Sequence, residues 1–231
     1  MLTPPAIHHN GNPMDAKTEA ARRQMIDQQV RTWDVLDDRV LEALERVPRE
    51  HFVPEAYRAV AFADAPIPIG HGQSMLPPAL DGRILQALAP MRGERALEIG
   101  TGSGFFASCL AQLTGSVDSI EIHADLAGRA ARAIGSAGIS RVTVEAGDAL
   151  SRDFDPVYEV VAVTGSLPGA ERRLERALVV GGRMFVVIGF APVMEACLVT
   201  RTGEDSWLTE PLFETLVDPL VLPAAPNRFR F

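Results

Sequence analysis

The sequence predicts an α/β domain: a doubly wound, mostly parallel sheet with an antiparallel edge and an N-terminal helical cap. Three observations predict it. Short apolar runs alternate with helical stretches between residues 95 and 188, the rhythm of strand–helix–strand units. One of these runs, residues 96–99, leads into a turn with glycine at every second position, Gly100, Gly102 and Gly104. The last two apolar runs, 194–200 and 212–217, have no helix between them, and Gly203 sits in the turn, so they are expected to pair antiparallel.

Taken in order, residues 1–14 (MLTPPAIHHNGNPM) are expected to form a flexible leader. They carry prolines, the adjacent His8 and His9, and an Asn-Gly-Asn-Pro turn, without the basic-then-apolar layout of a signal peptide. Residues 15–90 read as the helical cap with a lid loop, and residues 91–231 as the sheet domain. In the cap, residues 15–33 have helical periodicity, with Ala20, Met25 and Val30 to bury. Asp37 can cap a second helix that buries Val40, Leu41 and Leu44 and stops near Pro48. Residues 49–64 read as helical or irregular, 65–70 as a proline-rich loop, and 80–88 as an amphipathic helix. The expected strands of the sheet domain are 96–99, 116–122, 141–145, 158–163 and 182–188, with helices over 124–137 and about 170–178.

A strand that turns sharply and lets a ligand approach its backbone needs residues without a Cβ. Glu98 heads the glycine series, and Thr101 or Ser103 can cap the following helix, whose first amides form the positive end of its dipole. The dinucleotide pattern G-x-G-x-x-G would need glycine at 105, where this chain has Phe105. The spacing E-x-G-x-G-x-G instead resembles the first motif of the Rossmann-like methyltransferases, which hold S-adenosylmethionine. Glu121, beside Ile122, lies 21 residues after Gly100, the distance at which a second-strand carboxylate reaches a ribose diol. Gly147, Asp148 and Ala149 follow the third strand, where methyltransferases of this class bind the adenine.

Composition narrows the partners. At 231 residues and 47% hydrophobic, the chain suits one domain with additions. With 22 basic against 30 acidic residues, its net charge of -8 gives no attraction for a phosphate backbone, so no nucleic acid is expected. No run of 18 apolar residues occurs, so no membrane span is expected. Cys109 and Cys197 sit in apolar stretches and read as small core residues rather than a disulfide or metal pair. No metal is expected. The expected location is the cytoplasm, and the expected state a monomer or homodimer.

Residues 48–78, PREHFVPEAYRAVAFADAPIPIGHGQSMLPP, carry a more specific resemblance. They are similar to the N-terminal signature of the protein-L-isoaspartate O-methyltransferases, PRE-x-FVP followed by LPIG-x-GQ[TS]-I-S-x-P. Pro48, Arg49, Glu50, Phe52, Val53 and Pro54 match, as do Pro68, Ile69, Gly70, Gly72, Gln73, Ser74 and Pro78. Glu98 to Gly104 matches the family's glycine motif, and Val163 and Thr164 match the start of its VTAAP segment. The resemblance runs from about Arg22 to the end of the fifth strand. It implies a Rossmann-like, S-adenosylmethionine-dependent methyltransferase fold and methylation of the free carboxylate of L-isoaspartyl residues in damaged proteins. The cofactor contacts it implies are Gln73, Ser74, Glu98, Gly100, Thr101, Gly102, Gly104, Glu121, Ile122, Gly147, Asp148, Ala149 and Thr164. Residues 72–76 would be the lid over the sulfonium and the acceptor.

The chain departs from the family inside that lid. Where the family has T/S-I-S, this chain has Ser74, Met75 and Leu76, so Leu76 replaces the second hydroxyl, and Pro77 stiffens the loop. Ser74, Leu76 and His71 are therefore the candidate catalytic positions. A carboxylate acceptor, with a reference pKa of roughly 4, is ionised at neutral pH and needs no base, only positioning. Loss of an orienting hydrogen bond to a charged group costs about 1.5–3 kcal/mol, part of which Ser74 can supply. An alcohol or amine acceptor would need a base, which His71, in the Gly70-His71-Gly72 turn, could provide unless it simply faces solvent. Asp81 reads as a base or as a first-turn charge favoured by the helix dipole. Thr164-Gly165-Ser166-Leu167-Pro168 lacks the [DN]-P-P-[YF] pattern that grips a planar amide, which disfavours amino methylation. Two alternatives stay open: a same-fold methyltransferase with a changed small-molecule or protein substrate, or a non-catalytic S-adenosylmethionine binder that docks through residues 226–231 (PNRFRF).

Overall fold

The cap opens with α1 (Pro13–Met25), which runs on through a π-helical turn (Ile26–Val30) and a 3₁₀ turn (Arg31–Trp33). This computed structural model describes residues 13–222, so His8, His9 and the PNRFRF segment lie outside the described residues. Met25 and Val30 are buried as expected, but Ala20 is exposed. Five residues separate Ala20 from Met25, about 140° around a helix, so both cannot share one buried face. Asp37 caps α2 (Asp38–Arg46), accepting from the Arg39 amide at 2.9 Å, and Val40, Leu41 and Leu44 are buried. The short α3 (Arg49–Phe52) and a 3₁₀ stretch (Glu55–Val60) follow.

The proline-rich loop is partly a strand. β1 (Ile67–Gly70) pairs antiparallel with β2 (Gln73–Met75), forming a small hairpin. Ile67 and Ile69 are buried and alternate with exposed Pro68 and Gly70, a two-residue period too short to read as a strand from sequence. α4 (Pro78–Leu88) then leads into the main sheet.

That sheet has seven strands: β3 (Arg95–Ile99), β4 (Ser116–Glu121), β5 (Val142–Ala146), β6 (Tyr158–Leu167), β7 (Leu178–Phe190), β8 (Val193–Gly203) and β9 (Ser206–Glu214). Between them lie α5 (Phe105–Leu113), α6 (Ala124–Ser136) and α7 (Arg172–Arg176). The order is β5-β4-β3-β6-β7-β8-β9, parallel from β5 to β7 and antiparallel from β7 to β9, so the expected mixed architecture holds. Alternate residues of the central strands feed two cores: Ala96, Val160 and Phe185 one, Leu97, Val161 and Val186 the other. Cys109 and Cys197 are free and buried in these cores. Among the described residues no helix is long and apolar enough to cross a membrane, and no cluster of three metal-ligating side chains occurs.

Three expected boundaries move. The helix expected over 170–178 shrinks to α7, because Leu178 already pairs as the start of β7. β6 runs on to Leu167 through a bulge between Ala162 and Ser166. The final strand is 206–214 rather than 212–217. As the outer edge it has no fully buried residue, so it lacks apolar alternation, and its Pro211 sits at a register shift. The chain reverses direction across the sheet between β3 and β6, and at such a switch point the carboxyl ends of the strands leave a crevice.

Candidate active site

The crevice begins where β3 ends. Gly100 has φ +98°, and a Cβ there would meet Thr164 Oγ1 at 2.8 Å. Thr164 stands in the β6 bulge and donates to the carbonyl oxygens of Ile99 (3.0 Å) and Gly100 (2.7 Å), so the bulge locks the turn in place. Gly104 (φ +87°) is the N-cap of α5, and a Cβ on it would press within 3.0 Å of Ile134 on α6. Its task is helix packing, and it lines neither of the two cavities that make up the crevice. The capping expected of Thr101 and Ser103 is weak: Ser103 Oγ accepts from Phe105 N at 3.3 Å, while Thr101 bonds to Ser119 at 2.5 Å instead.

Three acids ring the turn. Glu98 is fully buried; its Oε2 accepts from Ser119 Oγ, and its Oε1 has no partner. Burial pushes its pKa up to about 8, against the pull of the Ser119 hydrogen bond. Glu121, at the end of β4, accepts from the amides of Gly102 (2.8 Å) and His123 (3.0 Å), one at each oxygen. Each oxygen keeps a further lone pair, so the carboxylate can still take two hydroxyls. Asp148 caps the turn Ala149–Ser151, accepting from Leu150 N (2.9 Å) and from Ser151 Oγ.

The hairpin and the cap close the other side. Arg49, fully buried, donates from Nε to Ala61 O (2.9 Å), from Nη1 to Asp81 Oδ2 (2.8 Å) and from Nη2 to Leu76 O (2.6 Å). Its guanidinium also stacks over Phe105, 4.8 Å from the ring centre. Asp81 is therefore no solvated first-turn charge: it is 2% exposed, and burial raises its pKa to about 7 despite Arg49. His71 is not brought to the crevice. At the hairpin tip (φ +55°) it bonds Asp125 at 2.8 Å, stacks on His123 at 4.0 Å, and latches the hairpin to α6. It lines neither cavity, because the two-residue turn points its ring outward along α6.

Two adjoining cavities share Gln73, Gly100, Glu121 and Leu220 as walls. The first lies under the hairpin, with Ser74, Leu76, Arg49, Asp81, Glu98, Thr101, Gly102 and Thr164 on its walls. The second follows β4 and β5, with Ile122, His123, Gly147, Asp148 and Ala149. A ligand with two arms meeting near Gly100 and Glu121 fits this outline.

Residues 20–221 match the family described as protein-L-isoaspartate(D-aspartate) O-methyltransferase. The chain belongs to this family. It is 39% identical to protein-L-isoaspartate O-methyltransferase 1 of Rhodopseudomonas palustris (strain HaA2), over 90% of this chain and 86% of that one. It is 36% identical to the protein-L-isoaspartate O-methyltransferase of Aeropyrum pernix, over 87% of this chain and 79% of that one. Its fold is similar to a Plasmodium falciparum structure, described as a protein-L-isoaspartate O-methyltransferase in complex with S-adenosyl-L-homocysteine. That likeness has a TM-score of 0.73 at 17% identity, covering 87% of this chain and 98% of that one.

In this member of the protein-L-isoaspartate O-methyltransferase family, all but two of the residues expected at the site line the paired cavities. The exceptions are Gly104 and His71. Sequence reasoning left Arg49, Phe105, Phe106 and Leu220 without a role, although all four are walls of the first cavity. Arg49 stands inside the PRE signature, a usable signal. Leu220 has none, because it arrives only through the return of the chain: the Ser166 amide donates to Asp218 O (2.9 Å) and the Leu220 amide donates back to Ser166 O (3.0 Å).

Proposed function

We propose that the chain transfers a methyl group from S-adenosylmethionine to the free carboxylate of L-isoaspartyl residues in damaged proteins and peptides, a repair reaction in the cytoplasm. The observation that carries this reading is the meeting of the glycine turn, Glu121 and the Gln73–Leu76 side of the hairpin around one two-armed crevice, in a chain of this family. When bound, the cofactor supplies an electrophilic methyl on a sulfonium. Glu121 would take the ribose hydroxyls, Asp148 and Ile122 the adenine side, and the turn of Gly100 to Gly102 the methionine end. The unpartnered Oε1 of buried Glu98 supports a cationic ligand there, since a positive group beside it would repay the desolvation of that carboxyl. Ser74 and Leu76 would hold the acceptor and exclude water. An acceptor carboxylate is ionised at neutral pH, so the chain would need to supply no base, only this positioning. Gly102 N and the Thr164 carbonyl bonds would keep the turn rigid through the step. The protein would act as a monomer or homodimer, and its free, buried Cys109 and Cys197 suit a reducing compartment.

One observation favours a second reading: Leu76 presents an apolar group where the family signature has a hydroxyl, which suits a less polar acceptor. Transfer of labelled methyl to an isoaspartyl peptide, with the aspartyl isomer as control, separates the two. Base-labile label on the isoaspartyl form alone supports carboxyl methylation. No transfer by protein that binds S-adenosylhomocysteine in calorimetry would refute it.

A further inference from the structure

The cavity under the hairpin has an unusual charge balance for a carboxylate acceptor. Asp81, Glu98 and Glu121 line it, and Arg49 is its one cation among the described residues. A guanidinium stays charged and carries five N–H donors. Three are committed, to Ala61 O, Asp81 Oδ2 and Leu76 O, and the two outer atoms that hold Asp81 and Leu76 are joined through a single carbon. Asp81 and the Leu76 backbone are thus neighbours across one planar group, and that group still has two N–H bonds to offer. An acceptor carboxylate entering beside Leu76 would compete with Asp81 for the same cation. Two carboxylates sharing one cation away from water do not both stay ionised, so one proton is taken up. The acceptor must keep its lone pair to attack, which leaves Asp81 as the proton's place.

We propose that Asp81 is the acceptor-binding residue of this chain: protonated as the acceptor enters, its carboxyl donates the hydrogen bond that Leu76, without a hydroxyl, cannot give. The inference rests on the isoaspartyl reading above. The balance is simple. One proton enters from solvent with the acceptor; the acceptor oxygen bonds to the methyl carbon as the sulfur–carbon bond breaks and its pair stays on sulfur. The neutral ester no longer competes for Arg49, so Asp81 returns its proton to solvent. Burial already holds the Asp81 pKa near 7, which keeps that proton within reach at neutral pH. The titratable groups around it are Arg49 from α3, Glu98 from β3 and Cys109 from α5, whose thiol burial pushes well up and keeps neutral; Glu121 from β4 shares the cavity.

The test measures kcat/KM for an isoaspartyl peptide between pH 6 and 8, with S-adenosylhomocysteine binding as the check on folding. In the unmodified protein it should fall about fivefold from pH 7 to 8, as one proton leaves a group with a pKa near 7. Asp81→Asn keeps an acceptor for Arg49 and a donor for the substrate at every pH, so its profile should be flat over that range. Asp81→Ala should lose about tenfold to a hundredfold at pH 6.5, the size of a hydrogen bond to a charged group, and Asp81→Ala with Leu76→Ser should regain most of it. An Asp81→Asn profile that falls like the parent's overturns the proposal, as does full turnover by Asp81→Ala. No transfer by any variant, the unmodified protein included, overturns the functional reading as well; transfer with an unaltered Asn profile overturns this inference alone.

Discussion

Arg49→Met should destabilise the protein by about 3–5 kcal/mol at pH 8, the usual cost of stripping one partner from a buried ion pair. The guanidinium is fully buried and serves Asp81 at 2.8 Å, Ala61 O at 2.9 Å and Leu76 O at 2.6 Å. Methionine fills much of the same space beside Phe105 but donates nothing, so a buried carboxylate and two carbonyls lose their partner at once. For a chain of this size each kcal/mol moves the melting temperature by about 2–4 °C, which gives a drop of about 6–20 °C. The sign with pH comes from Asp81, whose folded pKa is raised to about 7 by burial and held down by Arg49. A raised acid stabilises the fold below its unfolded pKa, and that contribution is lost as pH rises through the folded value. Without Arg49 the folded value climbs further, so the deficit should shrink from pH 8 to pH 5 as Asp81 takes its proton. Arg49→Met with Asp81→Leu removes both charges and should recover much of the loss at pH 8. Thermal and urea unfolding of the three proteins at both pH values decides it. A loss under about 1 kcal/mol, or the same loss with and without Asp81, would refute the view that this pair anchors the hairpin to the cap.

Glu98, pushed up to about 8 by burial, contributes stability below the ordinary carboxyl value and loses it as pH rises through about 8. Its replacement by glutamine, which still accepts from Ser119, should narrow the difference in urea midpoint between pH 5.5 and 8.5; an unaltered difference would argue against a neutral Glu98 at low pH. Gly100→Ala combines a left-handed backbone with a 2.8 Å approach to Thr164 Oγ1, about 2–3 kcal/mol once a Thr164 hydrogen bond is lost. Calorimetry should show S-adenosylhomocysteine binding weakened at least tenfold; normal binding with an unshifted melting temperature would contradict the tight turn.

The parallel half of the fold was legible because its central strands are buried on both faces and its glycines stand where the backbone turns left-handed. Residues 96–99 and 116–122 were legible as apolar runs, within a residue of β3 and β4, and Glu98, Gly100 and Glu121 as fixed offsets from them. Strand β9 was misplaced for the opposite reason: an edge strand with no fully buried side chain leaves no hydrophobic period to read. His71 looked like a base because a histidine between two glycines has room to point anywhere, and only its neighbours Asp125 and His123 decide where it goes. Asp81 looked like a surface charge because its helix position suits one. Its burial depends on Arg49, which lies 32 residues away in sequence, and no local pattern encodes that meeting.

The strap that carries Leu220 gives the crevice its own place in the life of the molecule. Gln73 reaches Pro219 O at 3.2 Å across 146 residues of chain, and this bond joins the two rims. A contact between such distant positions closes a long loop of chain, so the site depends on the intervening sheet to hold its rims together. Parting the rims at this point gives up one hydrogen bond worth about 0.5–1.5 kcal/mol, far less than the sheet's own stability. Loosening the seam there would leave the strands beneath paired.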